Sequence, residues 1–179
     1  MNIVEGDLLS LQEGILVHGC NCIGAMGAGV ALHIRNRWPS VYRAYVQKHR
    51  RESLHLGDIQ VVAAPSWGPG VGSLRSVPLN TDADELPPAL LVVNAMTQDG
   101  IRIRKSPGEL AVDYDAISAV FARIRLLARE TGLSVHFPLI GCGLAGGKWS
   151  EVKPRIEVAL GHDVDATLWV LPGTDVSAL

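Results

Sequence analysis

Apolar residues fall along this chain in two alternating patterns. Brief runs rich in Val, Ile and Leu, bounded by Gly, Asp, Pro or Ser, occur around residues 1–4, 15–18, 59–64, 90–95, 134–140 and 166–171 and read as strands. They read as buried on both faces, like the central strands of a covered sheet. Between them, the spacing predicts helices over Gly27 to Trp38, Pro39 to Arg50, Asp113 to Thr131 and Lys148 to Leu160. In the third, Tyr114, Ile117, Val120, Phe121, Ile124, Leu127 and Ala128 share one face, Asp113 can cap the start and Gly132 can end it. Pro39 starts the second helix and forces a bend after Trp38. This alternation implies an α/β fold, a three-layer α/β/α sandwich around a mostly parallel sheet.

The 179 residues suffice for one domain with its own core, and 47% hydrophobic against 19% charged residues is a globular composition. A formal net charge of -2 without a charge block or basic stripe argues against an extended nucleic-acid surface and leaves room for a local contact to a nucleic-acid end. Residues 1–7 lack a basic n-region and an apolar h-region, and no segment approaches the roughly 18 apolar residues of a membrane span, so a cytoplasmic protein is expected. Cys20 and Cys22 sit too close for a useful disulfide, which with Cys142 favours reduced thiols. No Cys-x-x-Cys or His-x-x-x-His spacing suggests a metal. Residues 65–89, rich in Pro and Gly, read as a surface excursion. Residues 99–111 follow a strand, so that Arg102, Arg104 and Lys105 either border a ligand crevice or form a solvated loop.

Two glycine-rich loops carry the candidate chemistry. The first runs His18-Gly19-Cys20-Asn21-Cys22-Ile23-Gly24-Ala25-Met26-Gly27-Ala28-Gly29-Val30, the second Gly141-Cys142-Gly143-Leu144-Ala145-Gly146-Gly147-Lys148-Trp149. Each follows an apolar run and precedes a helix. Glycine lets the backbone approach a ligand and turn its N–H groups toward it, and a helix start adds partial positive charge, so such loops suit phosphates. Two in one small domain suggest a diphosphate gripped from both sides. A P-loop is excluded, because Trp149 stands where Ser or Thr would follow Gly147-Lys148.

Gly6-Asp7-Leu8-Leu9, the loop from His18 to Val30, Thr97-Gln98, Val112-Asp113-Tyr114-Asp115-Ala116-Ile117 and Pro138-Leu139-Ile140-Gly141-Cys142-Gly143-Leu144 together resemble a macrodomain. The resemblance runs from Met1 to about Leu171, apart from residues 65–89, and is strongest to the ADP-ribose-1''-phosphate phosphatases and the phage and bacterial proteins similar to them. It implies a mixed, mainly parallel sheet between helices, ADP-ribose or a derivative as ligand, and no metal or organic cofactor. An ADP-ribosylated macromolecule is an implied partner.

The resemblance also assigns residues. Asp7 would accept from the adenine amino group, against a plain reading as a cap, and Leu8 would lie beside it. Gly24, Gly27 and Gly29 would let the first loop wrap the diphosphate, with Ala25, Met26, Ala28 and Val30 giving N–H groups. Gly141, Cys142, Gly143, Leu144, Ala145, Gly146 and Gly147 would supply the opposing ones. Leu171 would border the adenine. Asn21 would meet the distal ribose, against a plain role in tying the loop to its own backbone. His18 is either a packed core residue or the proton-transfer group that the phosphatase-like proteins place there. Cys142 invites a nucleophile reading, since a helix start can lower a thiol pKa, yet with no acid or base partner visible nearby a small apolar filler is the favoured reading.

One departure matters. The ester-cleaving ADP-ribosyl-protein hydrolases similar to this chain have an acid immediately after Gly-Cys-Gly-Leu, and here that position is Ala145. They also place a Lys on the strand before the equivalent of Thr97, where this chain reads Asn94-Ala95-Met96. Two functions therefore remain open: a hydrolase acting on ADP-ribose 1''-phosphate or an ADP-ribosyl conjugate, and a non-catalytic ADP-ribose-binding module.

Overall fold

The computed structural model describes residues 1–64, 90–101, 110–175 and 177. The expected excursion at 65–89 and Arg102, Arg104 and Lys105 lie outside them. Strands β1 (Asn2–Glu5), β2 (Gly14–Asn21), β3 (Ile59–Ala63), β4 (Leu90–Gln98), β5 (Val135–Phe137) and β6 (Ala166–Val170) form a six-stranded sheet in the order β1-β6-β5-β2-β4-β3. Every pairing is parallel except that of β3 with β4. The sheet is thus mixed and mainly parallel.

Helices α1 (Gly29–Arg37) and α2 (Pro39–Arg51) lie on one face, and α3 (Tyr114–Thr131) and α4 (Trp149–Leu160) on the other. Alternation along β2 divides the core accordingly. Ile15 and Val17 pack with Ile117, Phe121, Val152 and Ile156, while Leu16 packs with Ile34, Trp38 and Val41. Local chemistry sets the boundaries. Asp113 accepts from the Ala116 N–H at 2.7 Å, and Gly132 closes α3 in the left-handed region at φ 70°. Pro39 opens α2 directly after Trp38, which sits at φ -129°, ψ 80°. The first helix starts at Gly29 and not Gly27, which leaves two more residues to the loop ahead of it.

The expectation that all strands are buried on both faces fails for β1. It is an edge strand and all four of its residues are exposed. The apolar run at 134–140 is shorter as a strand, because after Phe137 the chain turns at Pro138 and supports only three ladder residues. Among the described residues no helix is long and apolar enough to cross a membrane.

Because β1, β2, β4, β5 and β6 are mutually parallel, their carboxyl ends share one edge of the sheet. Asp7, the first glycine loop, the second glycine loop and Leu171 all follow such ends. Moreover, β2 leads into α1 on one face, and its neighbour β5 leads into α4 on the other. Crevices in open α/β sheets form where adjacent connections part in this way.

Replacement of Asp113 by Ala removes the α3 cap, and a fall of about 1 kcal/mol in unfolding free energy is expected. Equilibrium urea unfolding checks this as a lower midpoint with an unchanged slope.

Candidate functional site

The first loop is shaped by a turn around Asn21. Its Oδ1 accepts from the Ile23 and Ala25 N–H groups, each at 3.1 Å, and its Nδ2 donates to the Ala25 carbonyl at 2.7 Å. The Tyr45 hydroxyl, on α2, donates to the Asn21 main-chain carbonyl and lies 3.0 Å from Asn21 Oδ1. The Asn21 side chain is therefore turned onto its own loop, and it is 6% exposed. Cys22 N–H binds the Asp99 carbonyl at 3.1 Å, fastening the loop to the end of β4. Gly24 sits at φ 77°, and a Cβ there would stand 2.8 Å from the ring of His49. Only glycine fits both demands.

Beyond that turn the expected donors divide. Ala25 N–H, assigned to the ligand by the resemblance, is taken by Asn21. The N–H groups of Met26, Gly27 and Ala28 have no acceptor among the described residues, and Gly29 and Val30 begin α1, where helix N–H groups lack intrahelical partners. In the second loop, Cys142 N–H binds Leu139 O, Gly146 N–H binds Gly143 O and Gly147 N–H binds Gly141 O. Those three donors hold the loop itself. Gly143, Leu144 and Ala145 N–H groups remain without an acceptor among the described residues. Gly141 adopts φ 76° with Val112 2.7 Å from where a Cβ would stand, so this turn too admits only glycine.

The two loops meet. Leu144 Cδ1 lies 3.5 Å from the Cβ position of Gly29, and the Leu144 side chain is otherwise solvent-exposed. Asp7 stands at the same sheet edge, exposed, with Oδ1 accepting from Leu9 N–H at 2.9 Å as the cap of a 3-10 turn at Leu8–Ser10. That leaves Oδ2 for an outside donor. Leu171 is exposed at the end of β6. The Leu8 side chain is buried with Leu16, Trp38 and Val62, so that only its main chain is left at this edge. The Ala145 side chain is likewise in the core, among the residues packed with α3 and α4. An acid at that position would have to leave the core to reach the crevice.

His18 is 1% exposed and belongs to a buried polar chain. Gln60 Nε2 donates to the Ala44 carbonyl at 3.0 Å, Asn94 Nδ2 donates to Gln60 Oε1 at 3.0 Å, and Asn94 Oδ1 is 2.7 Å from His18 Nε2. The amide directions make Nε2 the protonated nitrogen. The other nitrogen, Nδ1, then accepts, with Cys20 Sγ 3.7 Å away. Burial lowers the His18 pKa from 6.5 to about 4 against the opposing hydrogen bond from Asn94. A histidine that is neutral, enclosed and bonded through Nε2 to Asn94, with the Cys20 sulfur 3.7 Å from both ring nitrogens, is a core residue, which counts against the expectation of a proton-transfer group. The thiols are equally quiet. Burial pushes Cys142 up to about 11 and raises Cys20 and Cys22 as well. Cys142 is thus the filler expected, its Sγ 3.4 Å from the Ile140 carbonyl.

Sequence reasoning missed one feature of this edge. No acid occurs between Glu13 and Glu52, and α2 ends in Lys48, His49, Arg50 and Arg51, of which the last three are exposed. His49 touches Gly24, so the basic end of α2 rims the first loop. The signal was the missing acids. A separate cleft of about 850 Å³ opens elsewhere, against the amino ends of β5 and β6, lined by Glu13, Arg129, Ser134, His136 and Asp165 among others. It contains no residue of either glycine loop, whose unpaired donors lie at the opposite edge of the sheet.

No protein-family model matches the chain. It is similar to the DNA ADP-ribosyl glycohydrolase of Mycobacterium tuberculosis, with 29% identity over 168 residues covering 92% of this chain and 40% of that protein. The ADP-ribose 1''-phosphate phosphatase of Meyerozyma guilliermondii is 26% identical over 187 residues, covering 96% of this chain and 98% of that protein. Among solved structures, the macrodomain of Mycobacterium tuberculosis DarG superposes with a TM-score of 0.67 at 26% identity, over 94% of this chain and 95% of that one. The chain thus spans about 40% of the length of the glycohydrolase relative and nearly all of the phosphatase.

The buried His18 carries a pH signature. Between 6.5 and about 4 the unfolded chain takes up a proton that the folded chain refuses, so stability falls as pH falls through that window, by about 3 kcal/mol. Above 6.5 the group adds no slope. Urea midpoints from pH 7 to pH 4 should fall more steeply for the wild type than for His18→Gln, which cannot protonate.

Proposed function

This chain is a macrodomain, and from that premise we propose that it binds ADP-ribose between its two glycine loops and hydrolyses an ADP-ribosyl conjugate or ADP-ribose 1''-phosphate. The observation that carries the reading is the pair of unsatisfied N–H sets, Met26 to Ala28 with the α1 start on one side and Gly143 to Ala145 on the other, brought together where the connections of β2 and β5 part. A diphosphate accepts from both. Each favourable anionic contact at a helix start contributes roughly 0.3–1 kcal/mol when exposed and more when partly buried. Asp7 Oδ2 takes the adenine amino group at one end, and the distal ribose lies toward the Asn21 turn at the other.

The chemistry in this reading rests on anchoring. Holding the adenosine diphosphate at a distance from the reacting bond supplies orientation, and few reactive side chains need be present. Neither His18 nor the thiols supply the proton transfer, given their burial. Water attacks at the distal ribose or its phosphate, next to the N–H groups that the first loop turns outward. The exposed basic end of α2, His49, Arg50 and Arg51, of which His49 backs Gly24, favours an acceptor that carries phosphate, as the named substrate of the glycohydrolase relative does. The second reading, a binding module without turnover, is favoured by Ala145, which stands where the ester-cleaving hydrolases have an acid and here serves the core, and by the stretch Asn94-Ala95-Met96, which holds no Lys.

Calorimetric titration should give tighter binding of ADP-ribose than of ADP, and of ADP than of AMP. Equal affinity for all three would remove the roles given to the loops. Asp7→Ala should weaken ADP-ribose by about 1–3 kcal/mol, the range for hydrogen bonds to charged groups, with unchanged thermal stability beyond the loss of a small cap.

Turnover is read as phosphate released from ADP-ribose 1''-phosphate and ADP-ribose released from an ADP-ribosylated oligonucleotide. Wild-type protein that binds and releases neither would leave the binding module standing.

A further inference from the structure

Tyr45 is fully buried on α2, in an apolar cluster with Cys20, Cys22, Met26, Leu54 and Met96. A phenylalanine would fill that space without a polar atom. The hydroxyl is kept where burial strongly disfavours its ionised form, and it spends its one proton on the first glycine loop, donating to the Asn21 carbonyl with Asn21 Oδ1 3.0 Å away. From Asn21 the hold passes to Ile23 N–H and to both the N–H and the carbonyl of Ala25. One turn further along α2, His49 backs Gly24. The same helix face thus supports the loop at Asn21 and at Gly24. Immediately after this braced turn come Met26, Gly27 and Ala28, the unsatisfied donors of the site.

We propose that Tyr45 is a positioning residue: its hydroxyl fixes the Asn21–Ala25 turn and thereby aims the following N–H groups at the diphosphate and distal ribose, selecting ligands that extend beyond the adenine nucleotide. The proposal rests on the ADP-ribose reading for its ligand and on the geometry of Tyr45 and Asn21 for its device. Tyr45 does not reach the ligand. Without its hydroxyl the Asn21 carbonyl loses a buried partner and the turn loses the tie to α2, while the adenine end at Asp7, beyond β1 at the far edge of the sheet, is untouched.

The test is Tyr45→Phe, which keeps the ring and deletes one oxygen, compared with Val120→Ala, a core truncation in α3 on the opposite face. Two measurements are made well below the unfolding midpoint of each variant. Titration with ADP-ribose and AMP should show Tyr45→Phe weakening ADP-ribose on the order of tenfold while AMP changes little, so that the ratio of the two affinities collapses. Val120→Ala should leave that ratio unchanged, since general loss of stability does not discriminate between ligands. Amide hydrogen exchange on the free proteins should show faster exchange at Ile23 and Ala25 in Tyr45→Phe, with protection along α3 retained. An unaltered affinity ratio together with wild-type protection at Ile23 and Ala25 would overturn the proposal. If the wild type fails to bind ADP-ribose, the functional reading fails, and the exchange measurement alone still decides whether Tyr45 holds the loop.

Discussion

The structure hangs on β2. It lies inside the sheet, paired in parallel with β5 on one side and β4 on the other, and seven of its eight residues are buried. A strand so enclosed must satisfy every polar group it carries inside the protein. The main chain does so through the ladders. His18 does so through Asn94, Gln60 and the Ala44 carbonyl, a chain of hydrogen bonds that crosses β2, β4 and β3 and ends on α2. At its carboxyl end the register slips between Cys20 and Asn21, and Asn21 with Tyr45 converts the strand into the turn that opens the first glycine loop. The sheet interior and the site are thus joined through one strand and one helix.

This arrangement explains why the edge is made of backbone. Of the glycine-loop donors, those of Cys22, Ile23, Ala25, Cys142, Gly146, Gly147 and Lys148 are consumed in shaping or fastening the loops. Those of Met26, Gly27, Ala28, Gly143, Leu144 and Ala145 have no acceptor among the described residues. A loop cannot present N–H groups in a fixed direction unless other N–H groups are spent on holding it, and the division seen here is that trade. Anion recognition by preorganised N–H groups needs no side-chain charge, consistent with loops built from Gly, Ala, Met, Leu and Val.

The histidine illustrates how burial decides chemistry. The same imidazole at a solvent-lined position would titrate near neutrality and serve as acid or base. Enclosed, with Asn94 accepting from Nε2, it stays neutral down to a pH of about 4 and serves to align β2, β4 and β3. The Cys20 and Cys142 thiols are withheld from reaction by the same cause. In the proposed function, orientation of the bound diphosphate is what this edge contributes to catalysis. The basic end of α2 adds a rim that suits phosphate beyond the crevice.

The alternation of apolar runs and amphipathic segments determined the α/β class, the six strands and the four helices, because burial periodicity is a local property of sequence. Asp113, Gly132 and Pro39 fixed helix ends for the same reason: caps and ring constraints act within a few residues. The two glycine loops were legible as tight turns that need glycine, since Gly24 and Gly141 are required by local backbone geometry and close neighbours. Which of their N–H groups are free was not legible. That depends on Asn21 meeting Ala25 and Tyr45, and on Gly147 meeting Gly141, contacts chosen by how the loops close. His18 could be read either way from the sequence, and the partners that settle it, Asn94 and Gln60, stand on strands 42 or more residues away in the chain, brought beside it only by sheet register. Leu8 and Ala145 lie in motifs of the site yet point into the core, because the direction of a side chain after a turn is set by what packs beneath it.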